Sequence, residues 1–524
     1  MPTISFTNKQ LRKYLTKQLT NTELQETITM LGTDIEAFGE EIKVEIFPNR
    51  PDLLSPAGLA RAINAFIEQP HKHTYTTKKS SFTVTIDKSV ENVRAHTRCF
   101  VAKNLSLDEE TLQEIIDLQE KLHLTYGRNR KKVAIGVYPL ENIQEPILYS
   151  AKNVRQVHFR PLGEKKELNA QEILEQTTTG KKYGHLLAGQ KTVPLFTDAN
   201  NTVLSMPPII NSQEAGEVTT NTKEVFVEVS GQQEQALTGA INILACAFID
   251  LGAQIHEVHI NYPDKTIISP DLRPREHHID IEYCLQRSGL GRSDFRKGLQ
   301  KMGLHLREDT VSVEAYRTDI QHDVDFVEDA LIGYGYNNIQ ASIPELYTVG
   351  AYSKQTLHEE HLREILCGFR LQEVMTYTLA QEGVALANPL TQEYSHLRST
   401  ILPNLLGVLE NNLSRSYPQN IFEIGVVFRK DKTQETGIHE ETRTSILLCS
   451  QEANYTLIRQ IIEAIASTMQ YTIRFSEHED KRFIPGRCAK ISGDLQGIIG
   501  EIHPQELANK GIMQPTSACE FYKK

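Results

Sequence analysis

The chain has 524 residues, 39% of them hydrophobic and 23% charged, with a formal net charge of −11. That length holds several domains, at about 100 to 200 residues each, and the composition excludes a disordered or fibrous protein. The acidic balance also excludes a non-specific nucleic-acid coat, although a local basic patch can still recognise a shaped RNA.

The seven cysteines are scattered, odd in number and free of Cys-x-x-Cys pairs, which predicts reduced structural thiols and no zinc site. The first residues lack a basic start followed by an apolar core, so no secretory signal is expected. The most apolar stretch, 237–251, is interrupted by Asn242 and too short to span a bilayer. A cytoplasmic protein with no membrane contact is expected.

Leu11, Leu15, Leu19, Leu24 and Ile28 recur at roughly helical spacing across 6–31, and Gly32 ends the run. Residues 43–47 alternate like a strand, and Pro48-Asn49-Arg50-Pro51-Asp52 turns the chain into a helix over 56–67. Asn49, Arg50 and Asp52 read as turn chemistry and capping more than as a contact surface. A polar linker over 71–81 leads to strands at 82–86 and 98–105 and a helix over 109–124. The following loop carries Arg128, Arg130, Lys131 and Lys132 ahead of an apolar strand. Four cations there suit either a phosphate backbone or simple solvation.

Residues 193–229 read as strand, turn, strand, with Val225 to Val229 buried. Between them, Pro207 and Pro208 are expected to hold the backbone extended and present Asn211 and Ser212 at a rigid site, unless the stretch is a plain edge loop. A helix over 234–251 closes the module, and the Pro-rich stretch 263–274 marks a boundary. Next come a strand through Ile279 and Ile281 and a helix over 294–302 capped by Ser293. The last module alternates helices at 358–369, 403–413 and 454–469 with strands at 373–379 and 421–428. The expected fold is α+β and multidomain, with modules at 1–80, 81–262, 266–342 and 350–524.

One stretch has an evident chemistry. Asp325, Glu328 and Asp329 are spaced i, i+3, i+4, so a helix would put them on one face, and Asp319 would arrive at its N-terminus from a strand. Four hard oxygen ligands suit Mg²⁺, with no Cys or paired His nearby to attract Zn²⁺. The alternative is acidic residues in a first helical turn favouring the helix dipole, with Asp319 or Asp323 as N-cap.

Arg317-x-Asp319-Ile320, then Asp325, Glu328-Asp329 and Tyr334-Gly335-Tyr336-Asn337-Asn338-Ile339 resemble the metal-binding segment of phenylalanyl-tRNA synthetase beta subunits of the shorter archaeal and eukaryotic type. Other blocks resemble the family in order: Phe47 to Arg61; Met206 to Ser212 with Asn221-Thr222-Lys223; Asn388-Pro389-Leu390 through Ile421 to Gly425; and Pro485 to Ala489 with Gly500 to Pro504. The resemblance covers nearly the whole chain. It implies an N-terminal module, a mixed α/β editing module, a winged-helix-like module and a class II synthetase-like antiparallel sheet with helices. It also implies Mg²⁺ at Asp319, Asp325, Glu328 and Asp329, and a catalytic alpha subunit as partner in an (αβ)₂ tetramer. The reaction would be ATP-dependent attachment of phenylalanine to its tRNA, with hydrolytic removal of misattached tyrosine in a pocket near Asn211 and Ser212.

The resemblance stops short of an active synthetase. Class II cores carry an Arg-x-Glu whose guanidinium grips the ATP α-phosphate. Here the triplet is Ile421-Phe422-Glu423, and no arginine follows Gly500 in Glu501-Ile502-His503-Pro504. The chain is therefore expected not to activate the amino acid by itself, and its end leaves no room for the anticodon-reading domain of the longer bacterial type. Competing readings are a stand-alone RNA-binding or assembly protein and a metal-dependent phosphotransferase built on the same carboxylates.

Overall fold

The computed structural model describes residues 2–68 and 75–524, which form two compact units, Met1–Ser342 and Ile343–Lys524. The first three expected modules lie within the first unit. Part of the expected linker, 71–74, falls outside the described residues.

The N-terminal module is a three-stranded antiparallel sheet in the order Thr3–Thr7, Glu41–Glu45, Asp34–Phe38. The run expected to be helical over 6–31 splits into two helices, Asn8–Tyr14 and Asn21–Met30. Each starts at its own capping box, Thr7 with Gln10 and Thr20 with Glu23, and these local bonds override the continuous apolar spacing. Arg50 and Asp52 are buried and paired, at 2.9 Å and 2.8 Å, so they belong to the interior instead of a contact surface.

The next module stacks two sheets. One has five strands in the order Thr77–Lys78, Gln254–His256, His96–Lys103, Val225–Gly231, Val133–Pro139; the other has seven and includes Thr192–Thr197 and Val203–Met206. The helix Glu234–Asp250 packs against the outer face of the five-stranded sheet and is apolar nearly all round, as a helix buried on most sides must be. Every residue of Val225–Gly231 is buried. Side chains alternate across a strand, so Val225, Val227 and Val229 join the helix-side core while Phe226 joins the core between the sheets. Glu228 shares the parity of Phe226.

The small module that follows pairs Arg275–His278, Thr310–Val313 and His305–Arg307 in one antiparallel sheet with three helices, Ile281–Ser288, Arg292–Lys301 and Asp323–Tyr334. The strand expected through Ile281 ends at His278, because Asp280 caps a helix that begins at Ile281. The second helix starts at Arg292 behind Gly291, so Ser293 is inside it and is not its cap.

The second unit is a seven-stranded sheet in the order Gln372–Glu373, Gln419–Lys430, Ile438–Cys449, Thr516–Lys523, Leu495–Ile502, Phe483–Gly493, Ile473–Glu477. All its pairings are antiparallel except the first, as expected. Helices Lys354–Gly368 and Tyr455–Thr468 contribute to the core on one face, and Leu402–Glu410 to the core on the other.

Candidate functional site

A cavity of about 190 Å³ opens in the two-sheet module, lined by residues that include His123, Arg130, Thr179, Asn211 and Glu228. An apolar cavity of roughly 150 Å³ already admits benzene, so this one suits an aromatic ring with one polar substituent. Pro207 and Pro208 are part of its lining. They sit in the turn between the strands Val203–Met206 and Ile210–Asn211, closed by Ile209 N–H donating to Met206 O at 2.9 Å. The backbone there is a tight turn and not the extended run the two prolines suggest. Asn211 lines the cavity, and its Oδ1 lies 3.5 Å from the Tyr138 hydroxyl. Ser212 is fully buried, donates to Val203 O and accepts from Ala215 N–H at 3.0 Å; it ties down the loop and is not part of the lining.

Glu228 is the residue the sequence reading passed over. Tyr138 donates to its Oε1 at 3.2 Å, and its Oε2 is buried with no hydrogen-bond partner. Burial pushes its pKa up to about 8, against the pull of Arg94 and Tyr138. At neutral pH it is therefore mostly the neutral acid, able to offer a hydroxyl to a ligand. Gly136, opposite Glu228 on the neighbouring strand, makes room for this pair, since a Cβ there would sit 2.1 Å from Tyr138 Oη and 2.7 Å from Glu228 Oε1.

The folded chain keeps this proton to about pH 8, while the unfolded chain releases it near its ordinary 4.5. The stability it adds is complete below 4.5 and is lost as the pH climbs through 8, on the order of a few kcal/mol in all. Urea unfolding of Glu228→Gln should lack this decline, and parallel stability curves for the two proteins between pH 5 and about 8.5 would contradict it.

The basic loop ahead of the strand Val133–Pro139 feeds the same cavity. Arg128, Asn129 and Arg130 take three successive left-handed conformations, φ 49, 53 and 65. That reversal carries Arg130 inward, where it lies 4.4 Å over the Tyr183 ring, bonds Glu120 at 3.0 Å and donates to Ile209 O at 3.1 Å. His123 is held from both sides: Nε2 accepts from Ile135 N–H at 2.8 Å and Nδ1 faces Glu120 at 3.0 Å. Burial lowers its pKa, so it is a neutral structural imidazole with both nitrogens engaged. The lining thus offers binding and positioning groups, with no free imidazole to serve as general base.

The four carboxylates of the helix Asp323–Tyr334 and its lead-in part company. Arg317, 1% exposed, binds Asp319 through Nε at 2.9 Å and Nη2 at 2.7 Å, and binds Asp329 at 2.5 Å. Burial opposes ionisation of Asp319, but Arg317 overcomes it and holds the carboxyl below its ordinary range. Asp325 turns back as a capping box and accepts the N–H groups of Gln321 and His322 at 2.8 Å each. Glu328 accepts from the Tyr336 hydroxyl at 2.9 Å. Among the described residues no group of three His, Cys, Asp or Glu is arranged to hold a metal ion. The expected convergence on Mg²⁺ does not fit this arrangement, because a guanidinium already supplies the positive charge. Titrating the isolated chain with MgCl₂ should leave its thermal midpoint unchanged, and a saturable rise would show that the cation displaces Arg317.

In the second unit, Glu423 does meet an arginine. Arg398 and Glu423 are both 2% exposed and paired at 2.7 Å; Arg398 also donates to Val426 O at 2.9 Å and to the Thr376 hydroxyl at 2.8 Å. Its Nε and Nη1 donors are spent inside the protein, and the buried side chain does not reach solvent. Arg487 is paired with Glu501 at 2.5 Å on the surface. The triplet's missing cation is therefore not restored by either.

Three family models match: the Phe-tRNA synthetase beta subunit B1 domain over residues 1–69, the tRNA synthetase B5 domain over 278–336, and the phenylalanyl tRNA synthetase beta chain CLM domain over 339–522. The chain is 36% identical to the phenylalanine–tRNA ligase beta subunit of Pyrococcus horikoshii, over 100% of this chain and 99% of that one. It is 33% identical to that of Methanosphaera stadtmanae, over 99% of each. A crystal structure of an N-terminal fragment of the phenylalanyl-tRNA synthetase beta subunit from Pyrococcus horikoshii superposes with a TM-score of 0.61 at 34% identity, covering 64% of this chain and 99% of that one. Such matches define a component of an aminoacyl-tRNA ligase, the class that charges tRNA for protein biosynthesis. The chain belongs to the phenylalanine–tRNA ligase beta subunits.

Proposed function

We propose that this subunit supports a catalytic alpha subunit in charging phenylalanine tRNA and that its two-sheet module removes tyrosine attached by mistake. The observation that carries the editing half is Glu228: a neutral carboxyl with one unpartnered oxygen, beside Tyr138, in a cavity sized for one ring. A phenolic hydroxyl satisfies that oxygen and a phenyl ring leaves it bare. A site built to bond a hydroxyl rejects the analogue lacking it far more strongly than an apolar pocket rejects an added hydroxyl. The assay is deacylation by the assembled enzyme of tyrosine-charged and phenylalanine-charged tRNA side by side; equal release of both amino acids sinks the reading.

Support for a partner comes from the second unit. Ile343, Tyr347, Val349, Met375 and Leu390 are each more than nine-tenths exposed, apolar side chains left for a partner to cover. An (αβ)₂ assembly would cover it. Since neither Arg398 nor Arg487 is free to hold an ATP phosphate, the isolated chain should show no phenylalanine-dependent ATP–pyrophosphate exchange, and exchange by a pure preparation would refute the division of labour.

Magnesium at Asp319, Asp325, Glu328 and Asp329 would require Arg317 to release both of its aspartates. Docking of the alpha subunit is the event with a new surface to offer, and a Mg²⁺-dependent rise in thermal midpoint for the assembled enzyme alone tests that. A cytoplasmic setting agrees with seven unpaired cysteines, six of them buried, and with no described helix long and apolar enough to cross a membrane.

A further inference from the structure

A second, larger cavity of about 830 Å³ lies on the other side of the same basic loop. Where Arg130 lines the first cavity, Lys132 lines this one, its Nζ 5.4 Å over the Tyr126 ring. Arg275 enters from the strand Arg275–His278 of the next module and spends one donor on Arg317 O at 2.6 Å. Among the described residues neither Lys132 nor Arg275 has a carboxylate partner, whereas the two acids of the lining are already paired, Glu234 with Lys265 and Asp271 with Arg273.

The helix Glu234–Asp250 starts in this cavity behind Gln233, whose side chain makes no capping bond. Its first-turn N–H groups and its dipole favour an anion there. Two turns along, Asn242 is 5% exposed and lines the same space. Its Nδ2 donates to two carbonyls, Asp271 O at 3.0 Å and Ala315 O at 3.4 Å, which fixes the amide's orientation and leaves Oδ1 without a partner. The cavity therefore asks for two things at once, a negative group near the helix start and a hydrogen-bond donor deeper in.

A ribose phosphate carries both, the phosphate for the cations and helix start, and a sugar hydroxyl for Asn242. We infer that this cavity binds a phosphate and ribose of the RNA backbone, on a strand whose 3′ end reaches the Glu228 cavity past the shared loop. The inference rests on the editing reading for its direction along the RNA and not for the binding itself. A free nucleotide has the same chemistry, so the test separates the two.

Fluorescence anisotropy of labelled phenylalanine tRNA with the full chain, across a salt series, is compared for wild type, Lys132→Ala and Gln235→Glu. Gln235 is exposed, and an acid in the first turn favours the helix while repelling a phosphate, so that variant keeps its fold. Each is expected to bind RNA about five- to tenfold more weakly, and Lys132→Ala to lower the salt slope by about one. Unchanged affinity and slope in both variants would overturn the inference. So would adenosine monophosphate that saturates the wild-type chain, loses affinity in both variants and leaves RNA binding undisturbed. The readout needs no deacylation, so a chain that binds RNA here but never releases tyrosine would sink the editing reading and spare this one.

Discussion

Glu228→Leu is expected to cut kcat/KM for tyrosine release from charged tRNA by about 100-fold or more, while Glu228→Gln stays within a few-fold of wild type. Leucine has roughly the volume but no polar atom, so the phenol would enter with its hydroxyl unpaired in a dry interior, a cost of about 1–3 kcal/mol before any misplacement of the ester. Glutamine keeps a donor and an acceptor beside Tyr138, the same inventory that the neutral acid presents at pH 7. Discrimination should fall with the rate, since the leucine pocket no longer has a bare oxygen for phenylalanine to leave exposed. Leucine and glutamine variants deacylating equally would show that Glu228 only fills space.

The largest stability effect is expected at Arg398. Arg398→Met leaves Glu423 buried with only the Thr376 hydroxyl, at 2.7 Å, to satisfy it. Removing one partner of a buried pair costs about 3–5 kcal/mol, whereas replacing both by apolar groups is often close to neutral. Scanning calorimetry of the full chain should show a transition lowered by several degrees for Arg398→Met and largely restored in Arg398→Met with Glu423→Met. The local packing sharpens the requirement: a Cβ on Gly425 would lie 2.3 Å from Arg398 Nη2, so the strand gives up a side chain to admit the guanidinium. A double variant as unstable as the single would mean that the pair's shape matters more than its charge.

Much of this architecture is legible in the residues. Apolar spacing and turn chemistry place the helix Pro56–Phe66, the strand Val225–Gly231 and the helix Glu234–Asp250, and the quoted motifs order the modules along the chain. Capping bonds set boundaries that apolar spacing does not show: Thr20 with Glu23 starts a new helix inside what reads as one, and Asp280 starts another inside what reads as a strand. The carboxylate cluster is legible as a cluster, whereas its pairing with Arg317 is not. Arg317 opens the very motif that supplies Asp319, and in this chain it pairs with both Asp319 and Asp329. Glu228 had a signal too. A lone acid in Val-Phe-Val-Glu-Val, a run apolar on both faces, has to be paired, neutral or functional. Its pairing with Tyr138 across strands 90 residues apart in sequence is set by register, which no local pattern encodes.

If the alpha subunit covers the bare apolar residues around 343–390, they also govern how the chain must be made. A copy synthesised without its counterpart exposes adhesive surface to every other protein in a crowded cell, and to its own kind. Matched output of the two gene products, or prompt destruction of the surplus one, then becomes a condition for keeping translation supplied with charged phenylalanine carriers.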